Sequence, residues 1–226
     1  MTLGSLDPNG IGRYEETTPV GTKFSDYLNL ALDAVTRVLG RPQQFADATA
    51  QAAFTGARVG DLAYRVDLAV TMRYDGASWV AWESDWKTYT ATLSAAGGTF
   101  AIGSGGSQST RYRYEHGRIR VKFKFVLGTS GASMGTAPKF TLPVTAVSPP
   151  HSNAAYVAGS LGGTILDASA GVARLLTVLS DDTSATVVRL FYLDNVAGLL
   201  SSPTATAPWT WAASDALQGE FVYDPA

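Results

Sequence analysis

A mainly β chain, carrying a jelly-roll-like antiparallel β-sandwich, is predicted by three observations. Gly117–Gly128 reads GRIRVKFKFVLG, in which Ile119, Val121, Phe123, Phe125 and Leu127 alternate with Arg118, Arg120, Lys122, Lys124 and Val126. That period of two marks a strand with one face in a core and the other in water. Five apolar side chains on one face need a second sheet above them, which is a sandwich. From Trp86 onward, short apolar runs recur between turn clusters, roughly nine strands in about 140 residues. The composition agrees: 46% hydrophobic, only 16% charged, with 23 glycines, the profile of a β-rich chain with many turns or of a subunit covered by neighbours.

The same figures exclude several classes. A length of 226 residues fits one large or two small domains with room for a proper core. A formal charge of −2 supplies no global attraction to nucleic acid or acidic membranes, and neither is expected as a partner. There is no cysteine, which rules out disulfides and thiolate metal sites. No stretch approaches the roughly 18 apolar residues of a membrane helix. MTLGSLDPNG has neither a basic start nor an apolar run, so no secretion signal is expected.

Residues 1–23 contain Gly4, Pro8, Gly10, Gly12, Pro19 and Gly21 without periodicity. A segment of this kind orders only where something holds it, and it is read as an extended anchoring arm lying on a partner. Residues 24–39, FSDYLNLALDAVTRVL, predict a short helix. Ser25 caps it, and Gly40 with Pro42 stops it. Phe24, Leu28, Ala31, Val35 and Val38 step by four and three as a coiled-coil seam, widened by Leu32 and Leu39. About two heptads is too short to stand alone. The helix either packs on its own domain or bundles with its copies around an axis. A second, weaker helix is expected over residues 46–54, ADATAQAAF.

Leu62–Val66, Val70–Tyr74 and Trp79–Trp82 predict a small β-meander, with Asp67 starting one turn and Asp75-Gly76 making the next. Beyond Trp86, strands are expected at 87–93, 98–102, 110–116, 118–127, 139–145, 163–168, 172–179, 185–193 and 217–223. Pro143 and Pro149-Pro150 fit strand ends or edges. The expected domains are thus 1–23, 24–85 and 86–226.

Three segments, in this order, resemble minor tail proteins of phages that infect actinobacteria. GDLAYRVD…MRYDGASW (Gly60–Trp79) is similar to their small hairpin module between an N-terminal helix and a distal domain. YRYEHGRIRVKFKFVLG…KFTLPV (Tyr112–Val144) resembles the central strands of their C-terminal sandwich, and APWTWAASDALQGEFVYDP (Ala207–Pro225) their closing segment. The resemblance spans most of residues 24–226. It implies a virion component at the particle surface, usually a homotrimer, with an N-terminal anchor and an outward sandwich. The arm would dock on other virion proteins, and the helix and meander would form a collar. It leaves two roles open: host-surface attachment from the tail, or decoration of the capsid as a head fibre.

The hairpin about Gly117 carries the densest charge. With His116-Gly117 as the turn, Arg111, Arg113, Arg118, Arg120 and Lys122 share one face, continued by Lys124, and Glu115 lies opposite Arg118. Such a face suits a polyanion, among them a host cell-wall glycopolymer. The simpler alternatives are a solvated face, cations that protect an edge strand, or pairing with acids of a neighbouring subunit. Trp79, Trp82, Trp86, Tyr89, Trp209 and Trp211 offer sugar-stacking platforms, above all Trp209 and Trp211, which alternate and are framed by Pro203 and Pro208. Burial as packing anchors is the preferred reading of all of them.

No enzyme, metal site or cofactor is expected. His116 and His151 both fall in turns, without a nucleophile motif around them. Glu15-Glu16 and Asp181-Asp182 are adjacent in sequence, so on a strand they point to opposite faces. Gly103–Gly106 lacks the Lys-Ser/Thr and helix of a phosphate loop. A depolymerase assembled from distant acids is the remotest alternative.

Overall fold

The computed structural model describes residues 43–147, 159–181, 184–194 and 198–226. The arm 1–23, the seam of Phe24, Leu28, Ala31, Leu32, Val35, Val38 and Leu39, Pro149-Pro150 and His151 lie outside the described residues. The chain divides into two compact units between Ala81 and Trp82, four residues before the expected boundary. Two hydrogen bonds account for the shift. The Gly117 N–H donates to the Trp82 carbonyl at 3.0 Å, and the Tyr114 N–H donates to Ser84 Oγ at 3.0 Å. These tie Trp82 and Ser84 to the charged hairpin.

The first unit contains β1 (Gln43–Phe45), α1 (Ala48–Ala52), β2 (Leu62–Arg65), β3 (Val70–Tyr74) and β4 (Trp79–Ser84), whose last residues belong to the second unit. The sheet order is β1-β2-β3-β4, with β2 and β3 antiparallel as a meander requires. The parallel strand β1 was not expected, because three residues carry no readable period. The weak helix is present but only five residues long, capped by Asp47 Oδ1 accepting from the Ala50 N–H at 2.9 Å. Phe45, Ala63, Val70 and Met72 are buried, and Trp79 meets Phe45 edge-on at 5.6 Å between ring centres. Arg65 is buried among them. It forks onto Asp67 through Nε and Nη2, each at 2.8 Å, and reaches Gln51 on α1 through Nη1.

The second unit is a sandwich of β5 (Lys87–Thr88), β6 (Leu93–Gly97), β7 (Ser107–Glu115), β8 (Arg118–Val126), β9 (Thr136–Thr141), β10 (Gly159–Asp167), β11 (Val172–Asp181), β12 (Ser184–Asp194), β13 (Leu199–Ser201) and β14 (Ala216–Tyr223). Hydrogen bonding runs in the order β5-β7-β8-β14-β10-β11-β12-β9-β6, with β13 on β12. Strand β11 serves both layers. Val172–Leu175 pair with β10, and Leu176–Asp181 pair with β12. At the other margin the short link between β5 and β6 crosses over. The Tyr89 N–H bonds to the Thr110 carbonyl in one layer, and the Thr141 N–H to the Thr92 carbonyl in the other. The two ends of the strand order are therefore consecutive in the chain.

That crossing corrects two expectations. The strand expected over 87–93 is broken where it changes layers. Pairing then falls on Leu93–Gly97 rather than 98–102, where only Ala101 bridges, to Ser133. Phe100 is still buried, edge-on to Phe125 at 5.8 Å, so its apolar signal reports packing and not a ladder. The strand expected over 139–145 lies at Thr136–Thr141, ending before Pro143.

The alternation in the GRIRVKFKFVLG stretch sets the core. Ile119, Val121, Phe123, Phe125 and Leu127 are all buried, and Phe140 from the opposite layer lies 5.0 Å from Phe123 and 5.3 Å from Phe125. Phe221 on β14 completes the cluster, 6.1 Å from Phe140. Burying each ring contributes about 2–3 kcal/mol. The hairpin turn is as expected, with His116 and Gly117 at φ of 53° and 81°, the positive values of a two-residue turn that keeps the strands twisting together. Gly128 ends the stretch for a different reason: a Cβ there would lie 2.1 Å from the Ser104 carbonyl oxygen.

Candidate functional site: a cationic face on β7, β8 and β14

Register fixes which side chains share the outer face of the first layer. Cross-strand pairs Glu115–Arg118, Arg113–Arg120, Arg111–Lys122 and Ser109–Lys124 join β7 to β8. On the far side of β8, Lys122 faces Glu220 and Lys124 faces Gln218 on β14. All six expected cations are thus on one surface, with their inward neighbours in the core. Directly opposed like charges repel, and acids from β7 and from the C-terminal strand and its end relieve that repulsion.

Arg120 is the hub. Its Nε donates to Glu220 Oε1, and its Nη1 to Glu115 Oε2 at 3.1 Å. Arg113 Nη2 bonds Glu115 Oε1 at 2.5 Å, and Arg118 Nε bonds Asp224 Oδ1 at 2.8 Å. Burial pushes the Glu115 carboxyl up, but the hydrogen bonds and charges of Arg120 and Arg113 outweigh it and hold the group below its ordinary value. The Glu220 hydrogen bond is the main reason the Arg120 guanidinium binds its proton more tightly than usual.

Trp86 lies on the same surface. The Arg113 guanidinium carbon is 5.0 Å from its ring centre and Lys122 Nζ is 4.8 Å away, within cation–π range. Lys122 has one further contact, at 3.7 Å to Glu220 Oε1, an oxygen Arg120 already holds. Arg111 and Lys124 are exposed, and neither side chain makes an ion pair or hydrogen bond among the described residues. The six cations therefore divide. Arg113, Arg118 and Arg120 are neutralised, Lys122 shares the Glu220 carboxylate with Arg120, and Arg111 and Lys124 have no acidic partner among the described residues.

Trp209 and Trp211 are half-buried against the core, ring centres 5.7 Å apart, with Trp211 Nε1 donating to the Thr204 carbonyl at 2.7 Å. Their packing positions match the preferred reading. His116 sits in the hairpin turn, edge-on to Trp82 and 3.4 Å from Glu83. Asp181 is 1% exposed between Lys139 Nζ at 2.5 Å and Arg189 Nη2 at 2.9 Å, an ion cluster within the second layer. Asp182 lies outside the described residues. Among the described residues no group of three or more His, Asp or Glu is placed to hold a metal ion.

Sequence reasoning missed Glu220 and Asp224; it named Trp86 and Tyr89 but joined neither Trp86 to the cationic face nor Tyr89 to Tyr112. The outward alternation of Gln218 and Glu220 was readable, but the strand they pair with, about a hundred residues earlier, was not. Tyr89 meets Tyr112 edge-on at 5.9 Å, while the Tyr223 hydroxyl donates to the Val144 carbonyl at 2.7 Å. Burial raises both phenols, and the Tyr89 hydroxyl is sealed from solvent without a hydrogen-bond partner among the described residues.

Comparison of the chain with protein-family models, with curated proteins and with solved structures finds no match.

Proposed function

We propose that the chain is a structural protein of a phage particle: a minor tail protein that presents its sandwich, as a homotrimer, for attachment to the host surface. The role is assembly and adhesion. The observation that carries it is the uneven outer surface of the sandwich. Every exposed large hydrophobic residue described in the second unit lies at Val147 or later: Val147, Leu161, Leu166, Val172, Leu175, Leu199 and Leu200. Among them Leu166 and Leu175 are outward neighbours on the paired strands β10 and β11, and adjoining exposed apolar side chains mark a contact between proteins. The charged hairpin face stays free for a ligand, and three copies of a weak site gain avidity together.

The segments that carry the family resemblance support the reading by how they fold. Gly60–Trp79 forms the β2–β3 hairpin and leads into β4, Tyr112–Val144 spans the end of β7 with β8 and β9, and Ala207–Pro225 supplies β14. The reading is tested by gold-labelled antibodies against the sandwich on intact particles. Label at the tail tip is expected. Label over the head would replace tail attachment by capsid decoration, and particles without label would overturn both.

A further inference from the structure

We infer that Arg111, Lys122 and Lys124, beside the Trp86 indole, form a subsite for a linear anionic glycopolymer whose repeating sugars carry phosphate or carboxylate groups. The inference deepens the attachment reading and rests on it for the choice of a polymer from the host surface.

The first support is the charge balance of the face. Six cations share it with three carboxylates, those of Glu115, Glu220 and Asp224, in a chain whose formal net charge is −2. The excess is local. Arg111 is directly opposite Lys122, and Lys124 is the next outward residue on β8. The two unpaired cations and Lys122, which shares its one carboxylate with Arg120, therefore occupy adjoining positions, an arrangement that is unfavourable until an anion joins it.

The second support is location. Cations that guard a sheet against aggregation belong on an edge strand. Here β8 lies between β7 and β14, and β7 lies between β5 and β8, so none of the three is on an edge. Lys122 is also pre-positioned: the indole and Glu220 hold its ammonium without neutralising it fully. Less conformational freedom is lost when such a group meets a ligand.

The third support is the shape of what adjoins the cations. Ser109, Lys124, Gln218 and Thr164 form one outward row across β7, β8, β14 and β10. Gln218 Nε2 donates to Thr164 Oγ1 at 3.2 Å. Adjacent strands are about 4.8 Å apart, so the row is about 14 Å long, the length of a short oligosaccharide. Hydroxyl and amide groups beside cations suit sugar hydroxyls beside an acidic substituent. A nucleic acid would instead need open aromatic faces for its bases, and the Trp86 ring is engaged by Arg113 and Lys122.

The test is binding of the full chain to four soluble probes: glucosylated poly(glycerol phosphate), polygalacturonate, neutral dextran and a single-stranded oligonucleotide. At least one of the two anionic glycan probes should bind, with affinity falling as salt rises, and the one preferred identifies phosphate or carboxylate as the recognised group. Arg111→Ser combined with Lys124→Ser should weaken that binding about fivefold and flatten its salt dependence. Arg118→Ser, whose cation is already held by Asp224, should change it less than about twofold. Circular dichroism should show both variants folded, since the substituted side chains are exposed. The inference is overturned if neither anionic glycan binds, if dextran or the oligonucleotide binds more tightly, or if the double variant binds like the parent. Any of these with undiminished adsorption to host cells would leave attachment standing. A chain absent from the particle would overturn attachment itself, whatever the probes show.

Discussion

Along the outward row Lys124–Gln218–Thr164–Leu175, one sheet surface passes from charge to hydrocarbon within four strands. Toward β7 and β8 the side chains are arginine and lysine, netted by Glu115 and Glu220. Toward β10 and β11 they are Leu166, Ala173 and Leu175; Leu200, on β13, is exposed on the other layer. The two regions share the same inner face and one core, so the contrast cannot come from folding, which both satisfy equally. Under the proposed assembly it reflects what each surface meets outside. Charge on the first is affordable because water or a ligand solvates it, whereas exposed leucines on the second gain only when another protein covers them.

The comparison is broken most severely by removing what the two regions share. Phe140→Ala should destabilise the sandwich by about 3–5 kcal/mol, read as a lower urea midpoint, because Phe123, Phe125 and Phe221 all lose their partner across the layers. Asp181 gives the next effect and sharpens the contrast. It is buried between Lys139 and Arg189, so Asp181→Ala leaves two cations without its carboxylate and should cost about 3 kcal/mol. Asp224→Ala removes an ion pair whose side chains are 50% and 63% exposed, and less than about 1 kcal/mol is expected in the same denaturation experiment. Equal costs for Asp181 and Asp224 would show that the cationic face is not solvated as the exposure of its ion pairs implies.

Assembly should separate the regions further. Leu175→Ser with Leu200→Ser should leave the urea midpoint within about 1 kcal/mol, since both side chains are exposed in the single chain. The proposed homotrimer should dissociate at least tenfold more readily in sedimentation, as about 1.4 kcal/mol of lost contact would produce. The smallest effect is in pH. The Glu115 carboxyl is held below its ordinary value by Arg120 and Arg113, against burial. Its contribution to stability is therefore present above the ordinary carboxylate value of 4.5 and is lost as pH falls through the depressed one. Glu115→Gln should remove that part of the acid destabilisation, about 0.5 kcal/mol, leaving a shallower dependence of midpoint on pH.

How much of this was legible in the chain follows from what each feature depends on. Alternation over residues 118–127 exposed both faces of β8, because a period of two needs no knowledge of neighbours. His116-Gly117 fixed the hairpin register through turn chemistry alone, and with it the opposition of Arg111 to Lys122. The neutralisation of Arg120 was invisible, since Glu220 reaches it only once β14 pairs with β8. Trp86 read as a packing anchor, and its contact with Arg113 and Lys122 depends on where the chain leaves β4 for β5. The break between Thr88 and Leu93 was hidden for a similar reason: a strand that changes layers keeps its composition and loses only its partners. Leu175 read as a strand residue with nothing in the local pattern to say that it faces outward, and Leu199 and Leu200 fell between expected strands, because the three residues of β13 carry no readable period.

In the proposed assembly the cationic and the apolar outer surfaces have opposite fates, and side-chain labelling of assembled and dissociated chains measures this directly. Hydroxyl-radical oxidation at Leu166, Leu175 and Leu200 should fall on assembly, while acylation of Lys122 and Lys124 stays unchanged. Lysines that become protected while those leucines remain fully oxidised would place the subunit contact on the cationic face and contradict the account.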